Sequence, residues 1–122
     1  MSESSDCVFC KIIKSELPCK KVYEDEHTLA FLNIKPDTPD HTLVIPKQHY
    51  KNLIDCPPKV LNNVMAAVQK LTKRYLEKGY KTVKIVMNNE PPCQEVFHLH
   101  FHVIPYTLQH YNMRWVMAQQ PV

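Results

Sequence analysis

The chain of 122 residues contains one glycine, Gly79, beside ten prolines. Phosphate-binding loops of the P-loop and dinucleotide-binding types need several glycines, because their backbone must approach the phosphates closely. The sequence therefore excludes both of these loops. Any phosphate chemistry in this protein must be performed by side chains and by ordinary backbone amides.

Three further absences narrow the class of protein. No apolar run approaches 18 residues, so we expect no segment that crosses a membrane. The N-terminal residues contain neither the basic nor the apolar stretch of a secretory signal, which predicts a cytoplasmic, or cytoplasmic and nuclear, protein. The net charge of +3 is too small to indicate nucleic acid or an anionic membrane as a partner.

The composition is that of a single globular domain. Hydrophobic residues make up 44% of the chain and charged residues 22%, which are ordinary values for a domain with its own core. We expect a frayed N-terminus over residues 1–6 and one domain over residues 7–122. Five cysteines are an odd number. In a chain without a secretory signal, the pair Cys7-x-x-Cys10 indicates free thiols or metal ligands rather than disulfides.

The most informative stretch is His98–Tyr106, in which three histidines alternate with apolar residues. Alternation with a period of two predicts a half-buried β-strand. His98, His100 and His102 would then lie on one face of the strand. The apolar side chains, beginning with Phe97, would lie on the other face and pack into the core.

The rest of the pattern predicts an α+β fold. An amphipathic stripe of apolar residues predicts one long helix, with Asp55 as its N-cap and Gly79 just after its end. A short helix is expected to begin within the Cys7-x-x-Cys10 pair and to end before Pro18. Strands are expected at 21–24, 28–32, 41–46 and 84–88 and in the histidine motif, with loops at 33–40 and 88–93. These elements predict an antiparallel sheet of about five strands with the helices on one side, followed by a tail over 107–122.

Two interpretations of the histidines follow from their chemistry. In the first, Cys7 and Cys10 form a tetrahedral zinc site with His49 and His98, since thiolate and imidazole are the usual ligands of structural zinc. In the second, His100 is a nucleophile that attacks an activated phosphorus, while neighbouring imidazoles donate hydrogen bonds to the phosphoryl oxygens. The two interpretations are compatible, because a zinc ion bound to His98 would brace the segment that carries His100.

Three motifs resemble those of the histidine triad (HIT) superfamily. They are Cys7-x-Phe-Cys-x-Ile-Ile, His41-Thr-Leu-Val-Ile-Pro-Lys-x-His and His98-x-His-x-His-Val-Ile-Pro. They stand in the order of the family and extend over residues 7–106. Because the first motif contains two cysteines and a short helix, the chain is more similar to the Hint-like nucleotide-binding branch than to the dinucleoside polyphosphate hydrolase branch.

The resemblance implies a homodimer of α+β protomers with one continuous sheet, with zinc and with no organic cofactor. It implies hydrolysis of purine nucleoside 5′-phosphoramidates, or related nucleotidyl compounds, to a nucleoside monophosphate. His100 stands at the position of the family's nucleophile, and His102 and His41 stand at those of its phosphate-side partners. The implied metal ligands are Cys7, Cys10, His49 and His98. The implied nucleotide-binding residues are Asn89 and Gln94 at the phosphate, Asn33 at the ribose, Phe9, Ile12, Phe31 and Leu43 at the base, and also Glu95.

The loop before the histidine motif departs from the family pattern. It is usually glycine-rich, whereas here Pro91 and Pro92 remove backbone amides from it. Glu95 replaces a small hydroxyl residue of several members, and a carboxylate repels a phosphate unless it is protonated. The sequence therefore leaves the leaving group open. It also leaves two alternative functions: a dinucleoside polyphosphate hydrolase, and a nucleotide- or zinc-binding interaction module with vestigial activity.

Overall fold

The computed structural model describes residues 6–108 and shows two helices and five strands within that range. In chain order they are α1 (Val8–Ile13), β1 (Lys21–Glu24), β2 (Thr28–Leu32), β3 (Thr42–Pro46), α2 (Pro58–Glu77), β4 (Thr82–Val86) and β5 (Phe101–Tyr106). Neither of these helices is long and apolar enough to span a bilayer. The predicted N-terminal segment, apart from Asp6, and residues 109–122 of the predicted tail lie outside the described residues.

The five strands form one antiparallel sheet in the order β1-β2-β3-β5-β4. The register joins four neighbouring strands at one level: Phe31 pairs with Leu43, Leu43 with His102, and His102 with Val86. Directly paired residues place their side chains on the same face of a sheet. These four residues therefore form a row across the sheet, and the predicted α+β class with an antiparallel sheet is confirmed.

Helix α2 covers the face of the sheet opposite to this row. Its buried residues recur at helical spacing and pack against the alternate residues of the strands, as an amphipathic stripe predicts. The residues concerned are Val64, Ala67, Val68, Leu71 and Tyr75 of α2 and Ala30, Val44, Phe101 and Val103 of the sheet. Gly79 follows the last residues of α2 with a φ of 111°, which glycine adopts without strain. The predicted end of the helix is therefore confirmed.

Helix α1 packs on the other face, so the expectation that both helices lie on one side is wrong. Its N-cap is Cys7, whose sulfur accepts a hydrogen bond from the Cys10 N–H at 3.2 Å. Residues of α1 pack against strand side chains of β2 and β3 in a second apolar cluster that includes Phe31 and Leu43. The physical reason is that all of β3, and β2 up to its last residue, is buried, so both faces of the sheet need a cover.

The histidine motif enters the sheet later than predicted. Strand β5 begins at Phe101, so the assignment of His98 and His100 to the strand is wrong. The Leu99 N–H donates to the Tyr50 carbonyl oxygen at 2.7 Å, which belongs to a loop and not to a neighbouring strand. Three successive residues, 98 to 100, are consequently buried, and the regular alternation of faces is lost before the strand begins.

Several other boundaries also differ from the predictions. Helix α2 begins at Pro58 with Pro57 as its N-cap, so the assignment of Asp55 as N-cap is wrong. The Asp55 carboxylate instead accepts hydrogen bonds from the backbone N–H groups of Lys51 and Asn52 at 3.2 and 3.1 Å, which closes the loop before the helix. Strand β3 begins one residue later than predicted, and β4 covers 82–86 instead of 84–88.

Candidate functional site

A cleft of about 1050 Å³ opens on the sheet face that carries α1. It gathers side chains from α1, from the row across β2, β3, β5 and β4, and from the loops at 33–41 and 88–100. Nine residues proposed from the sequence for catalysis or nucleotide binding line it: Phe9, Ile12, Phe31, Asn33, His41, Leu43, Glu95, His100 and His102. The fold therefore brings together residues that are up to 93 positions apart in the chain (102 − 9).

The ring of His100 has a fixed tautomer. Its Nδ1 lies 2.7 Å from the carbonyl oxygen of His98, and because a carbonyl oxygen only accepts, Nδ1 carries the proton. Nε2 of the neutral ring therefore keeps its lone pair. Burial lowers the pKa of His100 below its usual value, which keeps the ring neutral near pH 7. A histidine nucleophile needs this form.

His41 and His102 form a hydrogen-bonded pair beside His100. The Asp37 N–H donates to His41 Nδ1 at 3.0 Å, so the proton of the neutral His41 ring is on Nε2. Nε2 lies 2.9 Å from His102 Nδ1 and donates to it. The proton of His102 is consequently on its own Nε2, where it is available to a phosphate oxygen. Burial, helped by the neighbouring imidazoles, lowers the pKa of His102 to about 4.

Two tyrosines, Tyr75 near the end of α2 and Tyr80 in the segment between α2 and β4, hold the residues on either side of His41. The Tyr75 hydroxyl shares a hydrogen bond of 2.7 Å with the Thr42 hydroxyl. The Tyr80 hydroxyl donates to the Asp40 carboxylate, and this bond raises the pKa of Tyr80 to about 12. The position of His41 is thus set from the opposite side of the sheet. Sequence reasoning missed both tyrosines as supports of the site.

Gln94 lies beside the cleft and does not line it. The residue is buried, and its side-chain NH₂ donates to the carbonyl oxygens of Lys51 and Val96 at 2.6 and 3.1 Å. Its side-chain oxygen accepts from the Glu90 N–H at 2.8 Å and from the Asn52 NH₂ at 3.2 Å. Its amide is therefore occupied within the protein and fixes the loop before the histidine motif.

Asn89 likewise points away from the cleft, since its side-chain oxygen accepts a hydrogen bond from the Leu53 N–H at 3.0 Å. The preceding residue, Asn88, lines the cleft, and sequence reasoning missed it. The signal that could have identified Asn88 is the alternation of side-chain direction along a strand, which has a period of two residues. Val86 is the last residue of β4 and belongs to the row that faces the cleft. Asn88 stands two positions after it, where the same alternation points to the same face.

A second cluster, which we call the metal cluster, consists of Cys7, Cys10, His49 and His98. Its four ligand atoms all lie within 4.8 Å of one another. Cys7 Sγ and His98 Nδ1 are 3.3 Å apart, Cys10 Sγ and His49 Nδ1 are 3.2 Å apart, and the two Nδ1 atoms are 3.2 Å apart. Ligands of a tetrahedral zinc ion at bond lengths of about 2.0–2.3 Å lie roughly 3.3–3.8 Å from one another. The cluster therefore fits zinc.

His98 joins the metal cluster to His100. Its Nε2–H donates to the Pro46 carbonyl oxygen at 2.8 Å, which leaves the lone pair of Nδ1 directed at the cluster. Burial is the main reason that the pKa of His98 falls to about 4, so the ring is neutral and able to bind a metal. The carbonyl oxygen of the same residue accepts the hydrogen bond from His100. His98 therefore has two roles: its ring belongs to the metal cluster, and its carbonyl oxygen holds the tautomer of His100.

Comparison with known proteins identifies the family to which these residues belong. The family model described as HIT domain matches residues 14–108. An uncharacterised HIT-like protein of Methanocaldococcus jannaschii is 48% identical over 100 residues, which cover 81% of this chain and 78% of that protein. A protein of Saccharomyces cerevisiae named adenosine 5′-monophosphoramidase is 41% identical over 99 residues, covering 81% of this chain and 61% of that protein.

A solved structure is similar in fold as well as in sequence. The zinc-bound histidine triad family protein of Mycobacterium smegmatis superposes with a TM-score of 0.82 at 38% sequence identity. The match covers 87% of this chain and 78% of that one. The two proteins are therefore similar in fold over most of this chain, and not only in the histidine motifs.

Proposed function

The chain belongs to the HIT domain family, and we propose that it is a Hint-like hydrolase of purine nucleoside 5′-phosphoramidates or related nucleotidyl compounds. It releases a nucleoside monophosphate through a nucleotidyl-His100 intermediate. The relative named adenosine 5′-monophosphoramidase supports this substrate class. The cleft supports it too, because its size suits a nucleotide together with a small leaving group.

The observation that carries the proposal is the hydrogen bond from His100 Nδ1 to the His98 carbonyl oxygen. It leaves Nε2 with the lone pair that attack on phosphorus requires. When Nε2 bonds to phosphorus the ring becomes cationic, and the carbonyl dipole at Nδ1–H stabilises that charge. A histidine that served only for packing would not need this arrangement in a cleft.

The proposed reaction has two displacements at phosphorus. In the first, the bond from His100 Nε2 to phosphorus forms, the bond from phosphorus to the leaving nitrogen breaks, and that nitrogen takes up a proton from solvent as the amine departs. In the second, a water oxygen bonds to phosphorus, the bond to Nε2 breaks, and the water loses a proton to solvent. The Nε2–H of His102 stabilises the charge on the phosphoryl oxygens, and His41 holds His102 in the required tautomer.

The nucleoside is proposed to lie on the α1 side of the cleft. Phe9 and Phe31 contact each other edge to face, with ring centroids 5.5 Å apart, and Ile12 and Leu43 extend the apolar wall. Such a wall takes the faces of a purine base. The side chain of Asn33 lines the same cleft and is proposed to contact the ribose hydroxyls.

The metal cluster is proposed to hold a structural zinc ion. All four positions are filled by protein side chains, as in structural sites, and no open position remains for substrate. A bound zinc ion would supply folding energy and rigidity. The residues that act on substrate are those of the cleft.

A cytoplasmic homodimer completes the proposal. None of the five cysteines, all of which lie within residues 6–108, forms a disulfide, which suits a reducing compartment. Strand β4 is an edge of the sheet, and the neighbouring Leu76 of α2 and Ile85 of β4 are 45% and 42% exposed. An unpaired edge beside exposed apolar side chains is suited to pairing with a second copy.

The substrate class is tested by comparing the purified protein on adenosine 5′-phosphoramidate and on diadenosine tri- and tetraphosphate. We expect kcat/KM to be at least about tenfold higher for the phosphoramidate, because its leaving amine is small and carries no phosphate charge, whereas the diadenosine compounds have a large polyanionic leaving group. The release of AMP, followed by chromatography, is the measurement. A preference for the diadenosine compounds would favour the dinucleoside polyphosphate hydrolase. AMP binding without hydrolysis of any substrate would favour the interaction module.

The pKa shifts predict the pH dependence of this activity. Since burial lowers the pKa values of His41, His100 and His102 below 6.5, the neutral, active rings persist as the pH falls below that value. We expect kcat/KM to be flat from about pH 8 to pH 6 and to fall only at more acidic pH. The profile of kcat/KM against pH measures this, and an acidic limb centred above pH 6.5 would contradict the assigned protonation states.

A further inference from the structure

Glu95 is a carboxylate in the cleft, and among the described residues it has no partner of opposite charge. It lines the cleft with His100 and His102, and its side chain is exposed. Within residues 6–108 it has no ion pair or hydrogen bond. The preceding residue, Gln94, is buried and held by four hydrogen bonds, so the backbone that carries Glu95 is fixed beside the site.

Two lysines line the cleft together with Glu95. Among the described residues that line it, the lysines are Lys20 and Lys35, which precede β1 and follow β2. Lys20 precedes β1, which is three strands away from β5. Lys35 lies in the loop that also carries Asp37, an acidic residue that lines the same cleft, and their opposite charges offset each other there. Lys51, close to the loop of Glu95, is already paired with Glu90 at 3.1 Å.

This charge distribution is unusual for a site that receives a phosphate. Phosphates in proteins are usually met by arginine or lysine, whereas the histidine end of this cleft presents the Glu95 carboxylate. A unit charge about 6 Å from an anionic phosphoryl group weakens its binding roughly tenfold at an effective dielectric constant near 40. A substrate that brings its own cation to this end removes the repulsion.

We propose that Glu95 selects substrates whose leaving amine carries a cationic group, such as a protonated aminoalkyl chain. This inference rests on the proposed function and specifies the leaving group of the same reaction. The P–N bond breaks, a P–O bond to water replaces it, and the leaving nitrogen gains the proton. The ammonium group at the far end of the chain keeps its charge throughout and lies against the Glu95 carboxylate.

Three adenosine 5′-phosphoramidates of equal chain length test the proposal. Their amine substituents are 3-aminopropyl, n-butyl and 3-carboxypropyl, which are cationic, neutral and anionic at neutral pH. We expect kcat/KM for the unaltered protein to be about tenfold higher for the cationic than for the neutral compound, and lowest for the anionic one. In Glu95→Gln the three values should agree within about threefold, and in Glu95→Lys the order should invert. Raising the salt concentration should reduce the preference of the unaltered protein.

The matched control is Glu26→Gln, which removes an exposed glutamate of the β1–β2 turn, distant from the cleft. It should retain the cationic preference. Equal rates for the three compounds in the unaltered protein, or a preference that persists in Glu95→Gln, would overturn the role of Glu95 while leaving the hydrolase intact. Failure to hydrolyse any of the three would instead overturn the proposed function on which the inference rests.

Discussion

Replacing His100 by asparagine is expected to lower kcat/KM for adenosine 5′-phosphoramidate by at least about a thousandfold. Asparagine keeps a polar group near the His98 carbonyl oxygen, but it lacks the nucleophilic ring nitrogen that forms the bond to phosphorus. The remaining rate then comes only from positioning the substrate and from hydrogen bonds to the phosphate. Steady-state hydrolysis by the variant and the unaltered protein at saturating zinc measures the effect.

A single-turnover experiment identifies the nucleophile directly. The reaction is quenched in alkali, which phosphoramidate bonds survive, and the intact mass is recorded. The unaltered protein should gain one nucleotidyl group, and His100→Asn should gain none. The matched control is His27→Asn, since His27 is exposed and does not line the cleft, and it should behave as the unaltered protein does. Equal hydrolysis by His100→Asn would show that another histidine is the nucleophile.

The sequence predicted most elements of the fold because their signals are local. The stripe of α2 and the stop at Gly79 depend on spacing along one helix, and both are present. The histidine motif shows a feature that local signals do not predict, namely the residue at which its strand begins. Its alternation predicts a strand from Phe97, but the strand begins at Phe101 because Leu99 bonds to the Tyr50 carbonyl oxygen. A contact between residues 49 positions apart (99 − 50) cannot be read from a period of two.

The residues of the site also fall into those that local motifs predict and those that depend on tertiary contacts. The histidines and most of the apolar residues that line the cleft belong to contiguous motifs, so the sequence could bring them forward as candidates. Their catalytic and binding roles stay predictions. The resemblance to the family assigns Asn89 and Gln94 to the phosphate, whereas the structure places both outside the cleft lining. The loop folds back on residues 51–53 through hydrogen bonds, and the direction of a loop side chain depends on such tertiary contacts. Tyr75 and Tyr80 carried no signal, because their effect on His41 passes through Thr42 and Asp40.

The stability of the protein should depend on the metal cluster because its members are costly to bury without an ion. Cys7, Cys10 and His98 are buried, and the two imidazole Nδ1 atoms, whose lone pairs a metal would share, lie 3.2 Å apart. Bound zinc satisfies all four ligand atoms at once and contributes its binding free energy to folding.

Cys10→Ala is therefore expected to abolish zinc binding and to lower the free energy of unfolding by about 3 kcal/mol or more. Native mass spectrometry measures the metal, and urea denaturation measures the stability. The control is Cys19→Ala, which removes a half-buried thiol outside the metal cluster. It should retain one zinc ion per chain and lose less than about 1 kcal/mol.

A chelator distinguishes the effect of losing zinc on stability from the effect of losing the Cys10 side chain. Removing zinc from the unaltered protein should produce the same loss of stability, and restoring zinc should reverse it, whereas the variant should respond to neither treatment. Because the carbonyl group of His98 also orients His100, loss of the metal should lower kcat more than it raises KM. Unaltered stability in the presence of the chelator, with no zinc in the mass spectrum, would contradict the structural zinc site and would leave Cys7 and Cys10 as inert thiols.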